Sequence, residues 1–203
     1  MTNKDAASHA LERLVFFSDA VFAIVITLLV LEIRTPELGS AASERQWIVA
    51  IVALLPHFGA FMLSFLVIGA MWMSHHRLFM MVRRYSERLL WPNLLLLLAV
   101  AFLPFTTSLL STGSLAVTPF AFYAASLLLA GLFKARLVRI ALSADFVDPS
   151  VSAAQRRREM RRRWIMPIAA AVTLMLAFVA TPWNALGMLL LPALKRLPVF
   201  RDR

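Results

Sequence analysis

Apolar residues in this chain come in long runs, broken by short clusters of charge and by turn-forming residues. A helix needs about 20 predominantly apolar residues to cross the hydrocarbon core of a bilayer. Cutting the runs at the clusters predicts six spans, at about 14–34, 47–73, 89–110, 115–137, 164–181 and 183–197. The last two are short and are joined by Thr181-Pro182-Trp183-Asn184, whose proline and asparagine favour a tight turn. They read as two full spans or as one shallow hairpin. The expected fold is all-α, a single polytopic membrane domain over residues 1–203.

Composition agrees. The chain has 203 residues, of which 61% are hydrophobic, and a mean hydropathy of +0.76, against about 45–50% apolar residues in soluble domains. It has no cysteine, which excludes disulfides, thiol catalysis and cysteine-based zinc or iron–sulfur sites. No nucleophile–base pair, His-Glu-x-x-His cluster or phosphate loop is present in the sequence, so neither an enzyme nor a bound cofactor is expected. Residues 1–13 carry Lys4, Asp5, His9, Glu12 and Arg13. No small-residue cleavage site follows them, so the first run is expected to be a retained helix rather than a signal peptide.

Charge sets the expected orientation. With six spans, the N-terminus, the second and fourth loops and the C-terminal tail hold nineteen of the 21 basic residues, and the other side holds only Arg34 and Arg45. By the positive-inside rule both termini are expected in the cytoplasm, which requires an even number of spans. The net charge of +10 and the segment Gln155-Arg-Arg-Arg-Glu-Met-Arg-Arg-Arg-Trp164 resemble a nucleic-acid patch in isolation. Beside a membrane helix they read instead as a topogenic segment facing anionic headgroups on the cytoplasmic side, with Trp164 at the interface. Nucleic acid is not an expected partner. Glu32, Glu37 and Glu44 fall on the opposite side, either as solvated loop residues or as a negative mouth for a cation path.

The first span holds the costliest residue. A charge within hydrocarbon costs about 2.5–3.5 kcal/mol on insertion scales, so intramembrane acids normally face a bundle interior or a water path. Asp19 follows Ser18 inside a run that is already apolar at Leu14-Val15-Phe16-Phe17. It is either an interior acid or part of an N-terminal cap. On a helical wheel Arg13, Phe17, Ile24, Leu28 and Leu31 lie within about 60° of one another, with Thr27 near the edge of the stripe, and Ser18 and Asp19 fall about 120–140° from Ile24. That separation turns the polar pair toward partner helices and the stripe toward something else. Periodicity alone does not distinguish packing, lipid contact and a pore lining.

The second span offers partners for the pair. Trp72 precedes His75 and His76 by three and four residues, so the indole shares a face with an imidazole. Both groups can donate to a buried carboxylate, which suggests an Asp–His–Trp lock. The alternative is that the histidines sit among headgroups beside Arg77. Pro56-His57, Asn93 and the stretch Leu103-Pro104-Phe105-Thr106-Thr107-Ser108 offer kinks or interhelical hydrogen bonds.

These residues carry a resemblance. Arg13-x-x-x-Phe17-Ser18-Asp19, followed by Ala20-Val-Phe-Ala-Ile24-x-x-Thr27-Leu28, resembles the signature of the transmembrane protein 175 family of cation channels. Trp72-x-x-His75-His76-Arg77-Leu78-Phe79 and Phe102-Leu-Pro104-Phe105-Thr106 are similar to the same family. The resemblance implies a bacterial single-repeat channel of the plasma membrane, a homotetramer in which four copies of the first helix line a central pore. It implies a preference for K+ without a Thr-Val-Gly-Tyr-Gly filter, and a hydrophobic constriction at Ile24, Leu28 and Leu31, with Thr27 as a possible pore hydroxyl. It also implies that Arg13, Ser18, Asp19, Trp72 and His75 brace the pore helix. The competing expectation, from another class, is a proton-coupled secondary transporter that uses Asp19, His75 and His57 as a relay. Such a protein should show inverted repeats, and residues 14–110 and 115–197 show no internal similarity.

Overall fold

The computed structural model describes residues 3–112 and 116–179. The expected sixth span at 183–197 lies outside them. Among the described residues all regular elements are helical: α1 (Asn3–Leu28), a 3-10 turn (Leu29–Glu32), α2 (Glu44–Ala53), α3 (Leu55–Phe79), α4 (Glu87–Ala101), α5 (Leu103–Thr112), α6 (Val117–Ala141), α7 (Ala153–Arg162) and α8 (Ile165–Val179). Among the described residues four stretches are long and apolar enough to cross a membrane: Ser8–Glu32, Glu44–Phe79, Glu87–Thr112 and Val117–Ala141.

Helix α1 begins at Asn3, well before the expected boundary at 14, because no proline or glycine interrupts the chain before Pro36. Ser18 and Asp19 are therefore interior residues, and the capping alternative falls. The helix tightens into its 3-10 turn just before Ile33 turns extended.

Two other breaks are written by proline, which lacks the N–H for an i to i−4 bond. Pro56 cannot bond the Val52 carbonyl, and the second stretch breaks at Leu54 and restarts as α3 with Pro56 in its first turn. Before the break, α2 is closed by a capping box between Ser43 and Gln46 and buries no residue. Pro104 likewise cannot bond the Val100 carbonyl, and α4 gives way to α5 at Phe102. Helix α3 continues to Phe79, six residues past the expected span end, so His75 and His76 are helical.

The core lies where α6 meets α4, α5 and α8. Ala124, Gly131 and Ala135 fall within about 40° on the helical wheel and give α6 a buried small-residue face, the usual means of close helix approach in a bilayer. A Cβ placed on Gly131 would stand 3.0 Å from the Pro167 backbone nitrogen and 3.1 Å from its Cδ. The close approach of α8 thus favours glycine at this position. At one end of the bundle the 80–86 and 142–152 loops are tied by an antiparallel bridge between Val82 and Val147. Arg83 N donates to Phe146 O at 2.9 Å, and Asp148 N donates to Met81 O at 2.9 Å. The Asp148 carboxylate accepts the Ser150 N–H at 2.8 Å, and its hydrogen bonds to Ser150, aided by Arg83, hold it below the usual carboxylate range. This end carries the arginine clusters and is the basic side of the bundle. The arginine-rich segment forms α7, a helix separated from α8 by the Arg163-Trp164 turn.

Candidate functional site

Helix α1 has two faces. Leu14, Ser18, Phe22, Val25 and Leu29 are buried against α3, α4 and α5, at the spacing of one helical stripe. On the opposite face Phe16, Phe17, Ala20, Ile24, Thr27, Leu28 and Leu31 are exposed in the protomer. Ile24 is 57% exposed, Leu28 42% and Leu31 71%. The 3-10 turn alters the register of that row. At about 120° per residue, positions i and i+3 eclipse, so Leu31 lies above Leu28 instead of about 60° away from it. The Thr27 hydroxyl donates to the Ile24 carbonyl at 2.8 Å and lies 3.1 Å from that of Ala23, which leaves its oxygen lone pairs toward the exposed side. Arg13 is exposed, and among the described residues it forms no ion pair with Asp19.

Two separate polar contacts hold the back of α1. Asp19 Oδ1 accepts a hydrogen bond from Trp72 Nε1 at 2.8 Å, linking α1 to α3 near the interface with the exposed face. His76 stacks on Trp72 at 5.7 Å between ring centroids. Deeper in, Ser18 Oγ donates to the Leu14 carbonyl at 2.8 Å and accepts from Asn93 Nδ2 at 2.8 Å. Asn93 Oδ1 lies 2.8 Å from His75 Nε2. A carbonyl oxygen only accepts, so His75 carries its proton on Nε2. All three side chains are buried. His75 is held between the rings of Phe22 at 5.4 Å and Phe79 at 4.7 Å, and among the described residues its Nδ1 has no hydrogen-bond partner.

The expected Asp–His–Trp lock is therefore split. Trp72 reaches Asp19, whereas His75 turns inward to Asn93. Spacing cannot separate these outcomes, because His75 and His76 flank the same helical direction and only the placement of α4 selects between them. The proton relay through Asp19, His75 and His57 is not assembled within the protomer: His57 and His75 are separated by about 27 Å of helix at 1.5 Å per residue.

A third polar cluster involves Thr107, which the sequence marks for interhelical hydrogen bonding, and two partners that it does not mark, Ser64 and Tyr123. Thr107 Oγ1 donates to the Leu103 carbonyl at 2.8 Å. Its single proton being used there, it accepts from Ser64 Oγ at 2.7 Å, and Ser64 in turn accepts from the Tyr123 hydroxyl at 2.9 Å. This directional chain joins α3, α5 and α6 beside the Pro104 break. A serine in the middle of an apolar span was the available signal.

Comparison with known proteins matches residues 13–104 to the family described as the endosomal/lysosomal potassium channel TMEM175. A potassium channel of Streptomyces collinus is 34% identical over 177 residues, which cover 84% of each chain. The human endosomal/lysosomal proton channel TMEM175 is 30% identical over 102 residues, half of this chain and 20% of that protein. Among solved structures, the crystal structure of a lysosomal potassium-selective channel TMEM175 homolog from Chamaesiphon minutus superposes with a TM-score of 0.80 at 29% identity, covering 92% of this chain and 96% of that one. The chain belongs to the TMEM175 family.

Proposed function

We propose that this protein is a potassium-preferring cation channel of the plasma membrane, formed by four copies around an axis lined by α1. The observation that carries the proposal is the α1 geometry: an apolar row at Ile24, Leu28 and Leu31 left open in the protomer, on a helix fixed from behind by Asp19–Trp72 and by Ser18–Asn93–His75. Potassium as the permeating ion is supported by the relatives named as potassium channels. The family is one of ion channels rather than enzymes.

The mechanism follows from the chemistry of that row. A ring of branched aliphatic side chains supplies no oxygen to replace the hydration of a cation, so a narrow ring expels water and blocks current, and a wider one passes an ion that keeps much of its shell. Thr27 provides the hydroxyl nearest to the row. Buried polar bonds on the far side of the helix keep the ring in register, so Asp19 serves as a brace rather than an ion ligand. Both termini are cytoplasmic in this reading, on the basic side.

The lack of native cysteine makes the test direct. Ile24→Cys should cross-link between protomers on mild oxidation and make the current sensitive to thiol reagents. Leu98→Cys, on the exposed face of α4, should do neither. An Ile24→Cys protein that stays monomeric on denaturing gels and conducts indifferently to thiol reagents would overturn the assignment.

A further inference from the structure

Helix α8 follows α7 after the Arg163-Trp164 turn with the helical phase carried through: Arg163 keeps a right-handed helical conformation, Trp164 N donates to Arg161 O at 3.3 Å, and Ile168 N donates to Trp164 O at 3.0 Å. One exposed stripe therefore runs through both, comprising Arg157, Arg161, Trp164, Ile168 and Met175. From one end to the other it passes from guanidinium to indole to aliphatic chain. Arg161 and Ile168 are about 10 Å apart along the axis at 1.5 Å per residue.

The neighbouring arginines are engaged. Arg162 pairs with Glu159 at 3.4 Å, and Arg163 lies 5.4 Å over the Trp164 ring with Nη1 3.4 Å from Met160 Sδ. Among the described residues the side chains of Arg157 and Arg161 form no hydrogen bond or ion pair. They stand at i and i+4, where like charges repel by a few tenths of a kcal/mol. Glu159 is the only acid on α7.

We propose that this stripe is a binding site for one anionic phospholipid, with its phosphate between Arg157 and Arg161, its ester region at Trp164 and an acyl chain along Ile168 and Met175. The polarity order of the stripe matches that of the lipid, and tryptophan is enriched at the ester level of a bilayer. A basic segment directly beside a membrane helix complements anionic headgroups. A twofold contact with a second copy fits the stripe poorly, because identical faces would oppose guanidinium to guanidinium. The proposal goes beyond conduction and does not depend on it.

Native mass spectrometry after reconstitution in nanodiscs of mixed phosphatidylcholine and phosphatidylglycerol tests it. Wild-type protein should carry phosphatidylglycerol in preference to phosphatidylcholine. Arg157→Gln/Arg161→Gln should lower that retention roughly thirtyfold, at about fivefold per arginine. Arg83→Gln/Arg84→Gln, which removes the same charge from the bridged loop, should retain it. The variant keeps Arg156, Arg158, Arg162 and Arg163 in the same loop, so orientation is preserved. Equal loss in both variants would reduce the effect to overall charge and overturn the site. So would a wild-type protein with no preference between the two lipids, or a stripe found covered by a second copy.

Discussion

Ser18 Oγ and Asn93 Nδ2 meet at 2.8 Å in the buried interior, joining α1 to α4 across 75 residues of chain. The serine proton is already given to Leu14 O, so the bond has one direction, and Asn93 must in turn accept from His75. Asn93 is the only member that both donates and accepts between helices. Its loss should strand two buried groups at once.

Asn93→Leu is accordingly expected to cost more than either flanking change. Interhelical hydrogen bonds in membrane proteins average about 0.6 kcal/mol and reach about 1.7, so loss of both should total about 1–3 kcal/mol. Thermal unfolding in detergent should rank Asn93→Leu below Ser18→Ala in stability. A reversed order would show that the serine bond to its own helix matters more than the bridge.

The Asp19–Trp72 contact needs an acceptor more than a charge. Asp19→Asn retains a carbonyl that can accept from Nε1, whereas Asp19→Ala and Trp72→Phe each delete one side of the bond. A double-mutant cycle between Asp19→Ala and Trp72→Phe should give a coupling of about 0.5–1.5 kcal/mol. Asp19→Asn should stay near wild type. Zero coupling would mean that the 2.8 Å contact contributes nothing to holding α1.

Gly131 tests the packing of α8 on α6. A Cβ there would stand at 3.0 Å from backbone, which cannot move as a side-chain tip can. Gly131→Ala should destabilise the protein by about 1–3 kcal/mol, the range for overpacking. Gly69→Ala is the control, since nothing lies within 4 Å of a Cβ at that site. Equal melting temperatures for the two variants would remove the argument for a close α6–α8 approach.

The division of α1 into two faces was legible from periodicity, because it depends only on 3.6 residues per turn and on the cost of burying Asp19 away from a partner. Its extension to Asn3 was not, because a polar helical lead of Asp5, His9 and Glu12 adds no hydropathy signal. The Trp72–Asp19 pairing needed only a shared membrane level and compatible donors. The choice of Asn93 over Asp19 by His75 depends on how α4 packs, and a one-dimensional pattern does not carry that. The Ser64–Thr107–Tyr123 chain is hidden for the same reason, since its members are 43 and 59 residues apart. Arg13 stands outside both polar contacts. In the proposed tetramer, neighbouring copies would supply its contacts.

Control of ion passage by the exposed α1 row is tested most directly by planar-bilayer recordings of purified protein under opposed potassium and sodium gradients, wild type beside Ile24→Ala. Wild-type currents should be passive and reverse near the potassium equilibrium potential, and Ile24→Ala should conduct more with its reversal shifted toward zero. Currents that require a pH gradient, or an Ile24→Ala channel with unchanged conductance and reversal, would contradict the account.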